Sequence, residues 1–433
     1  MKFSSFVFVL AIQATRASPS LGPESQLVLH DYKAAFDANE DARPVHELVL
    51  HSALDRYALR VAVPDPTLCD PSVKQHSGFL DISDDRHLFF WFFESRKAPL
   101  KAPLTLWLNG GPGGSSMMGL LFELGPCTIA NEGENTIVND HGWNTYSNLL
   151  FLDQPADVGY SYSSGGAPVD NSPVAAEDVY AFLQLFLSRY PEYESAPFHV
   201  AGESYGGTYV PHIVSEIHRR NKKLDVTDGG SPNTLRKDLK KIHLESRPFQ
   251  NTALLCRVRL DTRLAEQDVN EVAVGVDPSL PFDLVNWEIN KIFTDSGDIM
   301  RHSAALLPEL INDGIRLLVY AGMADIACDY MGNEAWVDKL EHIFHEEFHH
   351  FKARPWFTID SNTHAGDVRS AGGGIERAGN VTFVNVFEAG HMVPHDQPEA
   401  ALDLFARWIF DIPLYMDNIP THRVTLEDLI RSQ

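Results

Sequence analysis

The sequence predicts an α/β protein in which a doubly wound, mostly parallel sheet carries helices on both faces. Three observations predict it. Short runs that are apolar on both strand faces recur at 104–108, 149–152, 198–201, 315–320 and 381–387, as expected of strands in a parallel sheet covered on each side. Helical periodicity fills two of the intervals, at 174–189 and 207–219. Strand and helix alternating in this way give a doubly wound sheet.

In chain order, Met1 and Lys2, an apolar stretch at 6–12 and small residues at Thr15 and Ala17 form the layout of a secretory signal over residues 1–17. Residues 18–62 are rich in charge, with a weak helical pattern at 27–59, and stand as a candidate pro-segment or a frayed arm before a domain at 63–433. From Gly78 the texture changes. The runs 79–82 and 87–93 read as strands, with Ser83-Asp84-Asp85 as a polar hairpin turn. No later run approaches the roughly eighteen apolar residues of a membrane span, so no membrane span is expected.

A chain of 433 residues that is 44% hydrophobic can fill the core of one large α/β domain with insertions, or of two ordinary domains. Its formal charge of −24 excludes nucleic acid as an expected partner, because phosphates demand a basic face. An acidic, well-solvated surface is the simpler meaning. Asn380-Val381-Thr382 is the one glycosylation sequon in the sequence. Export permits disulfides, and Cys69, Cys127, Cys256 and Cys328 leave three pairings open.

Gly202-Glu203-Ser204-Tyr205-Gly206 falls directly after a predicted strand and before a predicted helix. A nucleophile elbow needs that context, because its serine sits on a strained turn with tiny neighbours. An earlier strand leads into WLNGGPGGSS at 107–116, whose glycine amides suit the oxyanion site of an α/β-hydrolase. A serine nucleophile needs a base, and the base needs an orienting carboxylate. His391 ends the run VTFVNVFEAGH, and Asp325 stands three residues after IRLLVYAG. The order Ser204, Asp325, His391 is the one this fold imposes.

The motifs WLNGGPGGSS, FELGP, GESYGGTYVP, YAGMADIAC with GNEAW, and EAGHMVP together resemble those of the serine carboxypeptidase family of the carboxypeptidase Y type. The resemblance implies removal of C-terminal residues from peptides or proteins with a free C-terminus through an acyl-enzyme, with no metal and no cofactor. It also implies secretion or a vacuolar location. It makes Gly111 and Tyr205 the oxyanion donors, and it assigns Asn109, Gly110, Glu123 and Glu203 to the substrate carboxylate. Cys328 and Met392 would line the pocket of the leaving residue. An acyltransferase or esterase on the same scaffold, and a non-catalytic or impaired homologue, are the competing readings.

Two departures stand out. The family often has a cysteine in the glycine loop bonded to one in the inserted cap. Here the positions are Gly114 and Val285, the latter beside Asn286. The resemblance then favours Cys69 with Cys127, and leaves Cys328 as the free thiol. The stretch 220–264 does not resemble the family, and the insertion at about 221–300 is a shortened cap. In the family another sheet strand follows the nucleophile helix closely. The run 252–260 is the expected substitute, but Arg257 and Arg259 fall on one of its faces, which suits an exposed edge. If that strand is missing, weak activity is expected.

Overall fold

The computed structural model describes residues 46–226, 239–245, 274–415 and 424–432, apart from 84, 131–134, 278, 281 and 375. The signal, the sequence up to 45, Cys256 and the run 252–260 lie outside the described residues. The aromatic-rich stretch after Gly78 forms the predicted hairpin: β3 (Gln75–Ile82) and β4 (Arg86–Phe93) pair antiparallel. Two strands come before it, β1 (Glu47–Leu50) and β2 (Tyr57–Ala62), which extend the hairpin into a meander. Over its described part, 46–59, this corrects the helical pattern expected around 27–59; residues 27–45 lie outside the described residues. Tyr57, Leu59 and Val61 are buried while Ala58 and Arg60 are half-buried, a period of two that the charged flanks disguise. Arg60 contributes a fork of two 2.7 Å hydrogen bonds to Asp81.

The apolar runs form the middle of the same sheet. They are β5 (Leu104–Leu108), β8 (Asn148–Leu152), β10 (Phe198–Gly202), β12 (Arg316–Gly322) and β15 (Val381–Val386). Small pieces lie between them in the chain: β6 (Cys127–Ala130) and β7 (Asn135–Val138) make a separate ribbon, and β9 (Tyr162–Ser163) pairs with β4. The sheet ends on two antiparallel strands, β13 (Arg354–Phe357) and β14 (His364–Ala371). With β11 (Leu239–Glu245) the order among the described residues is β1-β2-β3-β4-β8-β5-β10-β11-β12-β15-β14-β13, with β8 to β15 parallel.

β11 (Leu239–Glu245) is the strand that the run 252–260 was expected to supply. It lies parallel between β10 and β12, with Ile242 opposite both Val200 and Leu317. The strand is therefore present, and the premise for an impaired enzyme falls with it. Its sequence, LKKIHLE, lacks the both-face apolarity that marks its neighbours, which is why it escaped a search for apolar runs.

Alternating side chains of the central strands feed two cores. Leu104, Leu106 and Leu108 enter one and Trp107 the other; Leu317 and Val319 enter the first, Leu318 and Tyr320 the second. Helix α1 (Ser172–Arg189) packs in the first core and starts at Asn171, whose side chain accepts from the Val174 amide. That is an ordinary N-cap. Helix α2 (Gly206–Val226) follows the elbow, and α3 (Trp287–Asp295) belongs to the described part of the insertion. Cys69 and Cys127 form a disulfide, and Cys328 is a buried thiol outside any disulfide. Among the described residues no helix is long and apolar enough to cross a membrane.

Candidate active site

Register builds the site. Gly202 at the end of β10 stands opposite Leu108 at the end of β5, so the glycine loop and the elbow leave the sheet at the same level. The Glu203 amide donates to the Leu108 carbonyl at 3.0 Å. Ser204 then takes φ +57°, a left-handed conformation that costs a non-glycine residue about 1–3 kcal/mol and is held by the fully buried strand below it. Gly202 is required here: a Cβ would lie 3.1 Å from both the Gly206 Cα and the Leu108 oxygen.

The glycine loop closes on this turn. A Cβ on Gly110 would lie 2.3 Å from the Tyr205 nitrogen, and Gly111 has φ +107°. Gly110 is thus brought against the Tyr205 amide, and Gly111 is the next residue of the loop. Asp153, at the end of β8, fixes the far side of the loop: its Oδ1 accepts from the Ser115 hydroxyl and the Ser116 amide, both at 2.7 Å, and its Oδ2 from the Tyr160 amide at 2.9 Å. Complete burial pushes the Asp153 carboxyl up to about 6 in spite of those donors. The Tyr205 hydroxyl donates to buried Asp298 at 2.8 Å, and Asp298 also accepts from Ser172.

Asp325 and His391 meet in the same way, at the ends of β12 and β15. Gly322 opposes Val386, the Met323 and Ala324 amides bond to the Val386 and Ala389 carbonyls, and a Cβ on Gly322 would lie 2.2 Å from the Gly390 oxygen. The Asp325 Oδ2 is 2.9 Å from His391 Nδ1, while Oδ1 accepts from the Ala327 and Cys328 amides at 2.8 and 2.9 Å. Burial works to raise the Asp325 carboxyl, but His391 and the two amides outweigh it and hold it below the usual range. Burial likewise opposes charge on His391. Hydrogen bonds to Asp325 and the Cys328 side chain, with the charge of Glu203, prevail and raise its pKa.

Glu123 ends the short turn Gly119–Glu123 and is buried beside Glu203. Asn109 lies between them, its Nδ2 3.4 Å from one oxygen of each. Its orientation is set, since Oδ1 accepts from Trp107 Nε1 at 2.7 Å and the Gly119 amide at 2.9 Å, leaving only the NH₂ to face the carboxylates. Burial raises the Glu123 carboxyl, and its hydrogen bonds to Glu203 and Asn109 offset part of the rise. Two buried, hydrogen-bonded carboxyls favour sharing one proton. His395 bonds the Phe122 carbonyl at 2.8 Å and bears on Glu123 electrostatically.

Cys328 is buried against His391, and Met392 follows that histidine half-buried. Asn380 is not part of this constellation; it precedes β15, at the end opposite His391, with its amide bonded to the Ala371 carbonyl. Gly114 and Val285 face each other as an antiparallel bridge, so backbone pairing stands where a disulfide was absent from the sequence. Reading the sequence missed Asp153, Asp298, Asn286 and His395. Only His395 had a local signal, four residues after His391.

The sequence profile of the family described as serine carboxypeptidase matches residues 65–229 and 231–411. "Carboxypeptidase Y homolog A" of Talaromyces stipitatus is 37% identical across 82% of this chain and 76% of that protein. The protein of the same name from Ajellomyces capsulatus is 38% identical across 86% of this chain and 79% of its own. Among solved structures, Kex1Δp, a prohormone-processing carboxypeptidase from Saccharomyces cerevisiae, superposes with a TM-score of 0.67 at 20% identity, covering 82% of this chain and 96% of that one. At that identity the likeness is one of fold.

Proposed function

The chain belongs to the serine carboxypeptidase family and is a serine-type carboxypeptidase acting on peptides, and from that premise we propose that Ser204, His391 and Asp325 carry the reaction. Ser204 Oγ attacks the carbonyl of the last peptide bond while His391 takes its proton. Asp325 holds the imidazole by Nδ1, so the Nε2 edge serves the serine. The Gly111 and Tyr205 amides receive the oxyanion of the tetrahedral intermediate. Collapse breaks the C–N bond, His391 returns the proton to the leaving amine, and the peptide remains on Ser204 as an ester. Water, deprotonated by His391, then attacks the ester; the C–Oγ bond breaks, His391 returns the proton to Ser204 Oγ, and the shortened peptide leaves.

Specificity for a free C-terminus rests on Asn109, Gly110, Glu123 and Glu203. A protonated Glu123–Glu203 pair can donate a hydrogen bond to the substrate carboxylate, with the Asn109 amide beside it. Cys328 and Met392 border the leaving residue. The observation that carries the proposal is the paired register, Gly202 with Leu108 and Gly322 with Val386, which brings all four loops to one edge of the sheet. The test is hydrolysis of one peptide in free-acid and amide-capped forms, followed by mass, with Ser204→Ala alongside. Release of the last residue from the free acid, lost by about 10⁴-fold or more in the variant, is expected. Equal release by Ser204→Ala would overturn the assignment.

A secreted or vacuolar location follows from the signal-like start and fits the Cys69–Cys127 disulfide, with Asn380 as the site for a glycan. Recovery of the exported protein with a glycosidase-sensitive mass at Asn380 is the check. A reduced, unglycosylated cytosolic protein would refute it.

A further inference from the structure

We propose that Asn286 is a positioning residue of the oxyanion loop, clamping Gly111–Gly114 through the insertion so that the loop amide stays aimed at the reacting carbonyl. The proposal rests on the reading of Gly111 as an oxyanion donor. A loop of sequence NGGPGG has little stiffness of its own, yet an oxyanion donor must be held within about 0.5 Å. Rigidity has to come from outside the loop.

Asn286 uses its polar groups on three segments. Its amide donates to the Gly113 carbonyl at 2.8 Å. Its side-chain Oδ1 accepts from the Glu288 and Ile289 amides at 2.9 and 3.2 Å, capping α3, while Nδ2 donates to the Asp157 carbonyl at 2.7 Å. Its own carbonyl accepts from the Asn290 amide at 3.2 Å and lies where a Cβ on Gly113 would come within 2.4 Å. Asn290, one turn along α3, donates from Nδ2 to the Pro112 carbonyl at 3.1 Å. The Ser115 amide to Leu284 carbonyl bond at 2.9 Å completes the pairing.

The chemistry singles out asparagine. Asp, Ser or Thr could cap α3 equally well, but only asparagine adds the NH₂ that reaches Asp157. Aspartate would keep the cap and set a charged oxygen against the Asp157 carbonyl. Asn286→Asp therefore separates the two roles: a mere cap survives it and a clamp does not.

The experiment compares wild type, Asn286→Asp, and Asn286→Asp combined with Gly114→Cys and Val285→Cys. The hydrogen bonds on either side of Gly114 and Val285 make them a non-hydrogen-bonded antiparallel pair, whose Cα spacing of about 4.5 Å lies within disulfide range. A Cβ at Gly114 meets the flexible end of Met118 at 2.8 Å and the Gly110 oxygen at 3.0 Å, so it is admitted by a shift of the Met118 tip together with a few tenths of an ångström at the Gly110 carbonyl. Asn286→Asp should lower kcat by about 10- to 100-fold, the scale of a misplaced oxyanion group, with KM changed less than about twofold. Its thermal midpoint should hold and amide exchange across 111–116 should quicken. The oxidised disulfide should restore both kcat and protection. Wild-type kcat in Asn286→Asp, or unchanged exchange in the loop, would overturn the proposal. Protection restored without kcat would uphold the clamp and overturn the oxyanion reading beneath it.

Discussion

Asp325 divides its carboxylate in two: one oxygen meets His391 Nδ1 at 2.9 Å and the other accepts from the amides of its own loop. The division makes the effect of Asp325→Asn definite. The amide oxygen must stay on the Ala327 and Cys328 amides, since an NH₂ there would face two donors. The NH₂ then points at His391 Nδ1 and forces the ring proton onto Nε2, where it cannot accept from Ser204. A fall in kcat of roughly 10⁴-fold is expected with KM nearly unchanged, measured on a free-acid peptide. A loss below about tenfold would remove Asp325 from its proposed role.

The Glu123–Glu203 pair sets a pH dependence whose sign follows from burial. Burial raises the Glu123 carboxyl, so the protonated pair persists into mildly acidic solution and is lost as pH rises through its raised pKa. Above that point a free-acid substrate binds only with proton uptake, and its KM should climb by about tenfold per pH unit. An amide-capped substrate has no carboxylate to repel and should show no such climb. Glu123→Gln, which donates without a proton to lose, should flatten the free-acid profile. Parallel profiles for free and capped substrates would end the proposal.

The Cys69–Cys127 bridge spans 58 residues, a loop whose closure removes about 4 kcal/mol of unfolded-state entropy in the chain model. Replacing both cysteines by serine should therefore lower stability by roughly 2–4 kcal/mol and leave KM unchanged. Urea unfolding of the two forms measures it. Equal midpoints would show that the bridge does not stabilise the fold.

What the sequence disclosed depended on how far apart the partners lie. The apolar strands, both long helices and the hairpin were legible because each carries its signal within ten or twenty residues. Ser204, Asp325 and His391 were legible because strand ends are. Glu123 looked like a surface charge by itself and drew its role from the family resemblance; its burial depends on Asn109, fixed by Trp107 and the Gly119 amide. Asp298 gave no sign, since its partner Tyr205 lies 93 residues away, and no local pattern encodes such a pair. β2 was hidden by charged flanks, although Tyr57, Leu59 and Val61 alternate as a half-buried strand should.

β11 is the sharpest case, and it supplies the last prediction. The stretch after helix α2 was expected to be foreign to the family, but the family profile runs through it at 231–411; its strand LKKIHLE has too few apolar residues to stand out, and 252–260 drew the expectation instead. The backbone nonetheless places Leu239–Glu245 between β10 and β12, with Ile242 opposite Val200 and Leu317. Both neighbours carry loops of the proposed triad at their ends, so a break in β11 should separate Ser204 from Asp325 as well as weaken the core. Ile242→Pro removes a ladder amide from a strand paired on both sides, where proline is not tolerated. It should cost about 3 kcal/mol or more, a large part of the roughly 5–15 kcal/mol that holds a domain folded. Loss of hydrolysis together with a thermal midpoint lowered by several degrees is expected. A fully active Ile242→Pro with an unchanged midpoint would show that the sheet is completed by some other segment.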